Sequence, residues 1–363
     1  MKVLLVDLER AWRGGQNQAL LLMKGLRERG HEAELVAAEG SALGERANGA
    51  GISVHPASRG VFRIPTALRV RSLLGSGKFD VVHANEAHAV TAVWLALKGA
   101  REASRVPFVI SRRVGYPLGK GHIAQARYRA AARIVANSKW VAEQAAASGA
   151  PREKLTVVYE GAEIPPRFPV EQRESARSRW GIPASAKLLG CVGVLLPDKG
   201  QEWLIRALRG VKKEFAQTKL LLAGDGPCRP RLESLARELG MTADVIFAGF
   251  VDDVENVYAG LDVFLLPSFF EALNNSLLAA MAYEIPSIAF HKGALGEIIE
   301  DGKNGLLVSG PNEREISDAV LKILRDQNFA SSLGRAGRAR VEENFSAEAM
   351  VSGMIQVYEK CRR

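Results

Sequence analysis

The 363-residue chain is poor in cysteine, with three. Cys191, Cys228 and Cys361 stand far apart, without the short spacings that hold zinc and too few for a disulfide framework, so a reducing cytoplasmic setting is expected. The sequence also lacks an apolar run of the roughly 20 residues that a membrane span needs. Its opening run is interrupted by Asp7 and Glu9 and leads to no small-residue cleavage site, so it reads as a first core strand. The third scarcity is of acid in the first half. Residues 1–165 hold 24 Lys and Arg against 14 Asp and Glu, a net +10, whereas the whole chain is +9. Those basic residues are not interleaved with stacking aromatics and fit no nucleic-acid motif, which argues against nucleic acid as a partner. An anionic membrane surface or a phosphorylated glycan suits them better.

What the chain does have is alternation. Short apolar runs alternate with amphipathic segments, the pattern of parallel βαβ units. Strands are predicted at 3–8, 34–38, 53–56, 81–84, 108–111, 134–136 and 156–158. A proline-containing, charged stretch at 164–178 reads as a linker. The alternation then restarts with strands at 188–194, 219–223, 245–248, 263–266, 287–289 and 305–308, followed by helices at 313–325, 330–344 and 347–360. The length suits two domains. Two doubly wound α/β domains are expected, with ligands at the carboxyl ends of the strands in the cleft between them.

Several loops at predicted strand ends carry chemistry. Arg13-Gly14-Gly15-Gln16-Asn17 follows the first strand and opens a helix; paired glycines let backbone approach a ligand, and a helix N-terminus favours an anion. His83 closes a strand in Asp80-Val81-Val82-His83, where a satisfied polar residue is the plain alternative. Arg112 and Arg113 leave another strand and suit a phosphate or carboxylate. In the second half, Gly193-Val194-Leu195-Leu196-Pro197-Asp198-Lys199-Gly200 precedes a helix. Gly249-Phe250-Val251 closes a strand, Phe250 suiting a core position and a nucleobase contact equally. Pro267-Ser268-Phe269-Phe270-Glu271-Ala272-Leu273-Asn274-Asn275-Ser276 places one carboxylate in a loop before a helix that starts near Asn274.

In their order along the chain these motifs resemble those of family 4 GT-B glycosyltransferases, which retain anomeric configuration. The resemblance implies two Rossmann-like domains facing across a cleft: 1–165 for the acceptor, 166–345 for the nucleotide-sugar donor, and a helix at 346–363 crossing back to the first. It implies a cytoplasmic hexosyltransferase, peripheral on the inner face of the membrane, building a cell-envelope glycan such as lipopolysaccharide. The partners implied are a nucleoside-diphosphate sugar and a glycan or glycolipid acceptor, with no cofactor. No metal is required either, in keeping with the lack of an Asp-x-Asp motif. Glu271, Lys199, His83 and Arg113 take the catalytic positions. The donor set is Gly14, Gly15, Val194, Lys199, Phe250, Val251, Glu271, Leu273, Asn274, Asn275, Ser276 and Ala279, and the acceptor set is Arg13, Asn17, Arg112 and Arg113. The leaving phosphate is expected to assist deprotonation of the acceptor hydroxyl on the same face of the sugar.

Several positions depart from the family pattern, among them the Gly-Phe-Gly-Leu that follows its first Glu, here Ala272-Leu273-Asn274-Asn275. Its diphosphate-binding Arg is Val194, the His of its Thr-x-His motif is Arg113, and the second Glu, eight residues after Glu271, is Ala279. Losing one cation that neutralises the leaving diphosphate costs on the order of a few kcal/mol unless another group substitutes. An impaired binding or scaffold protein, a sugar-nucleotide epimerase and a phosphorylase are the alternatives.

Overall fold

A computed structural model describes residues 1–58, 63–99, 103–119 and 121–362. They form two compact units: Met1–Gly161 together with Ser346–Arg363, and Ala162–Phe345.

The first unit is built on a seven-stranded parallel sheet. Its strands are β1 (Lys2–Asp7), β2 (Glu32–Ala38), β3 (Ser53–Ala57), β4 (Val81–Ala84), β5 (Phe108–Arg112), β6 (Arg133–Ala136) and β7 (Leu155–Val157). Their spatial order is β3-β2-β1-β4-β5-β6-β7. β1 is apolar along both faces because both are covered: Leu4 and Val6 join one core, Val3 and Leu5 the other. On the Leu4 side lie α3 (Ile64–Gly75), α4 (Ala87–Leu97) and α5 (His122–Arg129). On the Val3 side lie α1 (Gly14–Glu28), α2 (Ala42–Gly49) and the C-terminal helix α15 (Ala347–Arg362). α15 rests on α1 at Gly25, where a Cβ would stand 2.5 Å from Val351 Cγ2, so only glycine allows that approach. The chain order reverses between β1 and β4, which opens a crevice at the carboxyl ends of these strands.

The second unit repeats the design with β8 (Leu188–Val192), β9 (Lys219–Ala223), β10 (Val245–Gly249), β11 (Val263–Leu266), β12 (Ser287–Phe290) and β13 (Leu306–Val308), all parallel. The order β10-β9-β8-β11-β12-β13 puts its reversal between β8 and β11. The loops carrying Lys199 and Glu271 leave these two strands. They are therefore neighbours although 72 residues apart in sequence.

The expected linker needs correction. Its second half is helix α7 (Val170–Arg179), and Arg177 within it is buried. Arg167, Glu171 and Glu174 of this segment are exposed, but Arg177 is withdrawn from solvent. Arg177 donates to Asp262 Oδ2 (2.6 Å) and to the carbonyls of Gly260, Ala184 and Ala186, fixing the helix to the strand ends. Sequence reading takes a charge run as exposed and misses such an anchor.

Candidate active site

In the second unit the site is assembled by backbone contacts at the ends of β8 and β11. After β8 the chain makes a single 3₁₀ turn (Pro197–Lys199), then helix α8 (Gln201–Lys212) starts at Gly200. Gly200 has φ of 67°, and a Cβ there would meet Pro267 O at 2.2 Å. Phe269 N donates to Asp198 O (2.9 Å), and Ala294 N donates to Glu271 O (2.9 Å). The Glu271 loop is thus tied on both sides, and Glu271 itself is only 6% exposed.

That tie brings Lys199 Nζ within 2.7 Å of Glu271 Oε1, which also accepts from Asn274 Nδ2 (3.1 Å). The same Asn274 caps helix α11 (Asn275–Ala282), its Oδ1 accepting from Leu277 N at 2.8 Å. Both polar donors converge on Oε1 and leave Oε2 to accept from a hydroxyl. Asn275, Ser276 and Ala279 are half-buried on α11, whereas Leu273 is buried. Val194 is 52% exposed, its carbonyl accepting from Gln201 Nε2 (3.1 Å). Phe250 is 71% exposed, so the core role considered for it is excluded; Val251 beside it is half-buried.

In the first unit the glycine loop opens α1 as the pattern suggests, with exposed Arg13 at the N-cap and no side-chain cap. Gly14 is exposed, Gly15 and Asn17 half-buried. Gly15 lies against Arg113: a Cβ there would be 3.7 Å from Arg113 Cδ. Arg113 is held on two sides. Its Nε pairs with Glu160 Oε1 (2.9 Å), and its Nη1 donates to Asn85 O (2.8 Å) and Oδ1 (2.7 Å). Asn85 Nδ2 in turn donates to Gly15 O (3.2 Å) and to Asp7 Oδ2, which also accepts from Gln16 Nε2 (2.9 Å). A polar network therefore runs from β1 through the glycine loop to Arg113 and on to the last residues before the unit boundary.

Two expected residues are placed differently. His83 is fully buried; its Nδ1 pairs with Tyr358 Oη (2.7 Å) and its Nε2 with Ser111 Oγ (2.8 Å). Burial, with the nearby Arg113 charge, pushes its pKa down to about 3, so it is neutral and ties α15 to the sheet instead of touching a reactant. Arg112 points away from Arg113, as neighbouring strand residues do. It is buried, with donors directed to Tyr128 Oη and the Tyr116 carbonyl.

Two family models tile the chain: "Glycosyltransferase Family 4" over residues 12–164 and "Glycosyl transferases group 1" over residues 186–326. The chain belongs to the GT-B group 1 glycosyltransferases. An uncharacterized glycosyltransferase of Methanocaldococcus jannaschii is 28% identical over 93% of this transferase and 92% of its own length. The GDP-mannose-dependent alpha-(1-6)-phosphatidylinositol monomannoside mannosyltransferase of Mycolicibacterium smegmatis is 31% identical, and the match spans only 48% of each chain. In fold, the transferase superposes on Anabaena HepE, solved with UDP and glucose, with a TM-score of 0.84 at 22% identity over 99% of both chains. The family and its named relatives make the chain an enzyme of the transferase class.

Sequence reasoning missed Asn85, Glu160 and Asp7. They stand in no motif spacing, and only the sheet order brings them to Arg113. Gln18 was missed for the same reason: its amide makes a reciprocal pair with the backbone of Gly161, with Nε2 to O at 2.8 Å and N to Oε1 at 2.9 Å.

Proposed function

We propose that this transferase moves a sugar, with retention of configuration and without a metal, from a nucleoside-diphosphate donor to a glycan or glycolipid acceptor of the cell envelope. The observation that carries the reading is the Lys199–Glu271 pair at the switch point of the second unit. It puts a cation and a carboxylate side by side, one suited to a diphosphate and the other, through Oε2, to sugar hydroxyls. When donor enters, the diphosphate competes for Lys199 Nζ, while Asn274 keeps its hold on Glu271. The uncapped start of α8 offers backbone N–H groups to the same anion. Glu271, Lys199, Asn274, Asn275 and Ser276 then form the donor site, with Phe250 and Val251 beside the base. On the first unit, Arg113 and the exposed Arg13 hold an anionic group of the acceptor, with Gly14, Gly15 and Asn17 lining the approach. The names of relatives agree with this assignment: one uses GDP-mannose on a phosphatidylinositol glycoside, another acts in lipopolysaccharide core biosynthesis in Rhizobium meliloti, and HepE was crystallised with UDP and glucose.

The test is a thermal-shift panel of UDP, GDP, ADP, CMP and TDP, followed by transfer assays with the matching sugar nucleotides in EDTA. A ligand at 100 times its dissociation constant adds roughly 2.7 kcal/mol. A shift with one nucleoside diphosphate and turnover in EDTA are expected. No shift with any of them removes the donor assignment, and turnover that stops in EDTA removes the metal-free one.

A further inference from the structure

The second unit carries a cavity of about 600 Å³ at the end of its sheet opposite the Lys199–Glu271 pair. Lys187, Asp262 and Pro286 in its lining are the residues just before β8, β11 and β12, whereas the Lys199 and Glu271 loops leave the carboxyl ends of β8 and β11. A cavity of this size holds a small organic molecule. The transfer proposed above makes no use of it.

One wall is cationic. Arg167, Arg173, Arg177 and Lys187 line the cavity against two acids, Asp262 and Glu284. Asp262 is fully engaged: its Oδ1 accepts from Arg173 Nη2 (2.7 Å), and its Oδ2 from Arg177 Nη2 (2.6 Å) and Leu188 N (2.7 Å). One carboxylate thus serves two guanidinium groups, and the half-buried Lys187 beside them has no ion pair among the described residues. Glu284 is taken by Arg167 Nη2 (2.8 Å). The wall keeps a surplus of positive charge around Arg173 and Lys187, which suits a phosphate.

The other wall is aromatic. Phe168 stacks on Tyr283 with ring centroids 4.2 Å apart, and Tyr283 stacks on Tyr258 at 5.6 Å. The acids near these rings, Glu255, Glu163 and Asp253, act on the Tyr283 hydroxyl and do not line the cavity. An apolar ring fits against this side while its phosphate meets Arg173 and Lys187. The same tyrosines hold α11, the helix that starts at the donor site. Tyr258 Oη donates to Ser276 O (3.2 Å) in its first turn, and Tyr283 is its C-terminal cap. A ligand packed on the stack therefore fixes both ends of α11 and leaves less ordering for the donor to impose at Asn275 and Ser276.

We propose that this cavity is a second ligand site, taking a phosphorylated small molecule with an apolar ring, and that its occupancy tightens the donor site through α11. The site goes beyond the function proposed above, and the coupling rests on it.

The probe is phenyl phosphate, titrated by calorimetry into the full chain, with inorganic phosphate and phenol as separate arms. Phenyl phosphate should bind at a single site, about tenfold tighter than either part. K187E, which reverses the unpaired cation, and A184W, which places an indole at exposed Ala184 of the lining, should each weaken it by roughly tenfold or more. K24E, the same charge change on exposed Lys24 of the first unit, should bind as the parent does. Far-ultraviolet melting of each variant checks that it folds. Saturating phenyl phosphate should then tighten the nucleoside diphosphate found in the nucleotide panel by about fivefold. Y258F, which loses the tie to Ser276, should keep phenyl phosphate and lose that gain. No binding, equal affinity for inorganic phosphate, or undiminished binding by K187E and A184W would overturn the site. So would phenyl phosphate that loosens the nucleotide, because it then competes at Lys199. An unchanged nucleotide affinity, or a gain that survives in Y258F, overturns the coupling. Both affinities are read on the same samples: a chain that takes phenyl phosphate and no nucleoside diphosphate removes the donor reading and the coupling with it, and leaves the cavity site standing.

Discussion

Asn274 holds two tasks in one side chain, and substitution can separate them. Its Oδ1 caps α11 through Leu277 N, and its Nδ2 fixes Glu271 Oε1 beside Lys199. N274S keeps an oxygen for the cap, and serine caps about as well as asparagine, so stability should stay within a few tenths of a kcal/mol of the parent. The same change removes the donor to a buried carboxylate. A hydrogen bond to a charged group is worth roughly 1.5 to 3 kcal/mol, but Lys199 remains to hold the carboxylate, so the lower bound applies and kcat/KM should fall by about tenfold. N274A removes both contacts and should add a stability loss of about 1 kcal/mol to that drop. Denaturant midpoints give the stability half, and steady-state transfer from the sugar nucleotide found in the nucleotide panel gives the other. If N274S turns over like the parent, Glu271 is positioned by Lys199 and the backbone alone. If N274S loses as much stability as N274A, the serine does not cap and the separation itself fails.

Asn274 also shows what a sequence does and does not disclose. Strand positions were legible because fully covered strands are continuous apolar runs bounded by turns; β4, β9 and β11 fall at the predicted residues 81–84, 219–223 and 263–266. The loop with Glu271 was legible because its helix start and lone carboxylate are local features. The linker was misjudged because α7 owes its place to Asp262, some 85 residues on, and no local signal marks a charge that will be buried by a distant partner. His83 is the same case: its environment is made by Tyr358, 275 residues away, and by Ser111. Arg112 and Arg113 look alike in sequence, and strand alternation separates them only once the exit of β5 is known. Local pattern thus reported which elements exist, whereas the protonation and direction of polar side chains depended on contacts across the sheet.

A279E should tighten nucleoside-diphosphate binding by about tenfold, measured by calorimetry, because Ala279 is half-buried on α11 and a carboxylate there can meet ribose hydroxyls; unchanged affinity would remove Ala279 from the donor set. E271A should abolish transfer, and retained turnover would refute the site assignment. G293A should cost at least ~1 kcal/mol and lower transfer, because Gly293 has φ of 58° and a Cβ there would stand 2.1 Å from Glu271 O; a parent-like melting temperature would show that the loop is not fixed there. The last expectation concerns acid. His83 is held neutral, with its pKa pushed from 6.5 to about 3, so the unfolded chain binds a proton in this window that the folded chain does not. Its contribution to stability is full above pH 6.5 and is lost as the pH falls towards 3. Between pH 7 and 5.5 the loss from this residue is about 1 kcal/mol. H83Q cannot take up that proton, so although it is less stable than the parent at pH 7, the gap between them should narrow by about that amount at pH 5.5. Urea midpoints at the two pH values measure it, and a constant gap would mean that His83 is not kept neutral by Tyr358, Ser111 and its burial.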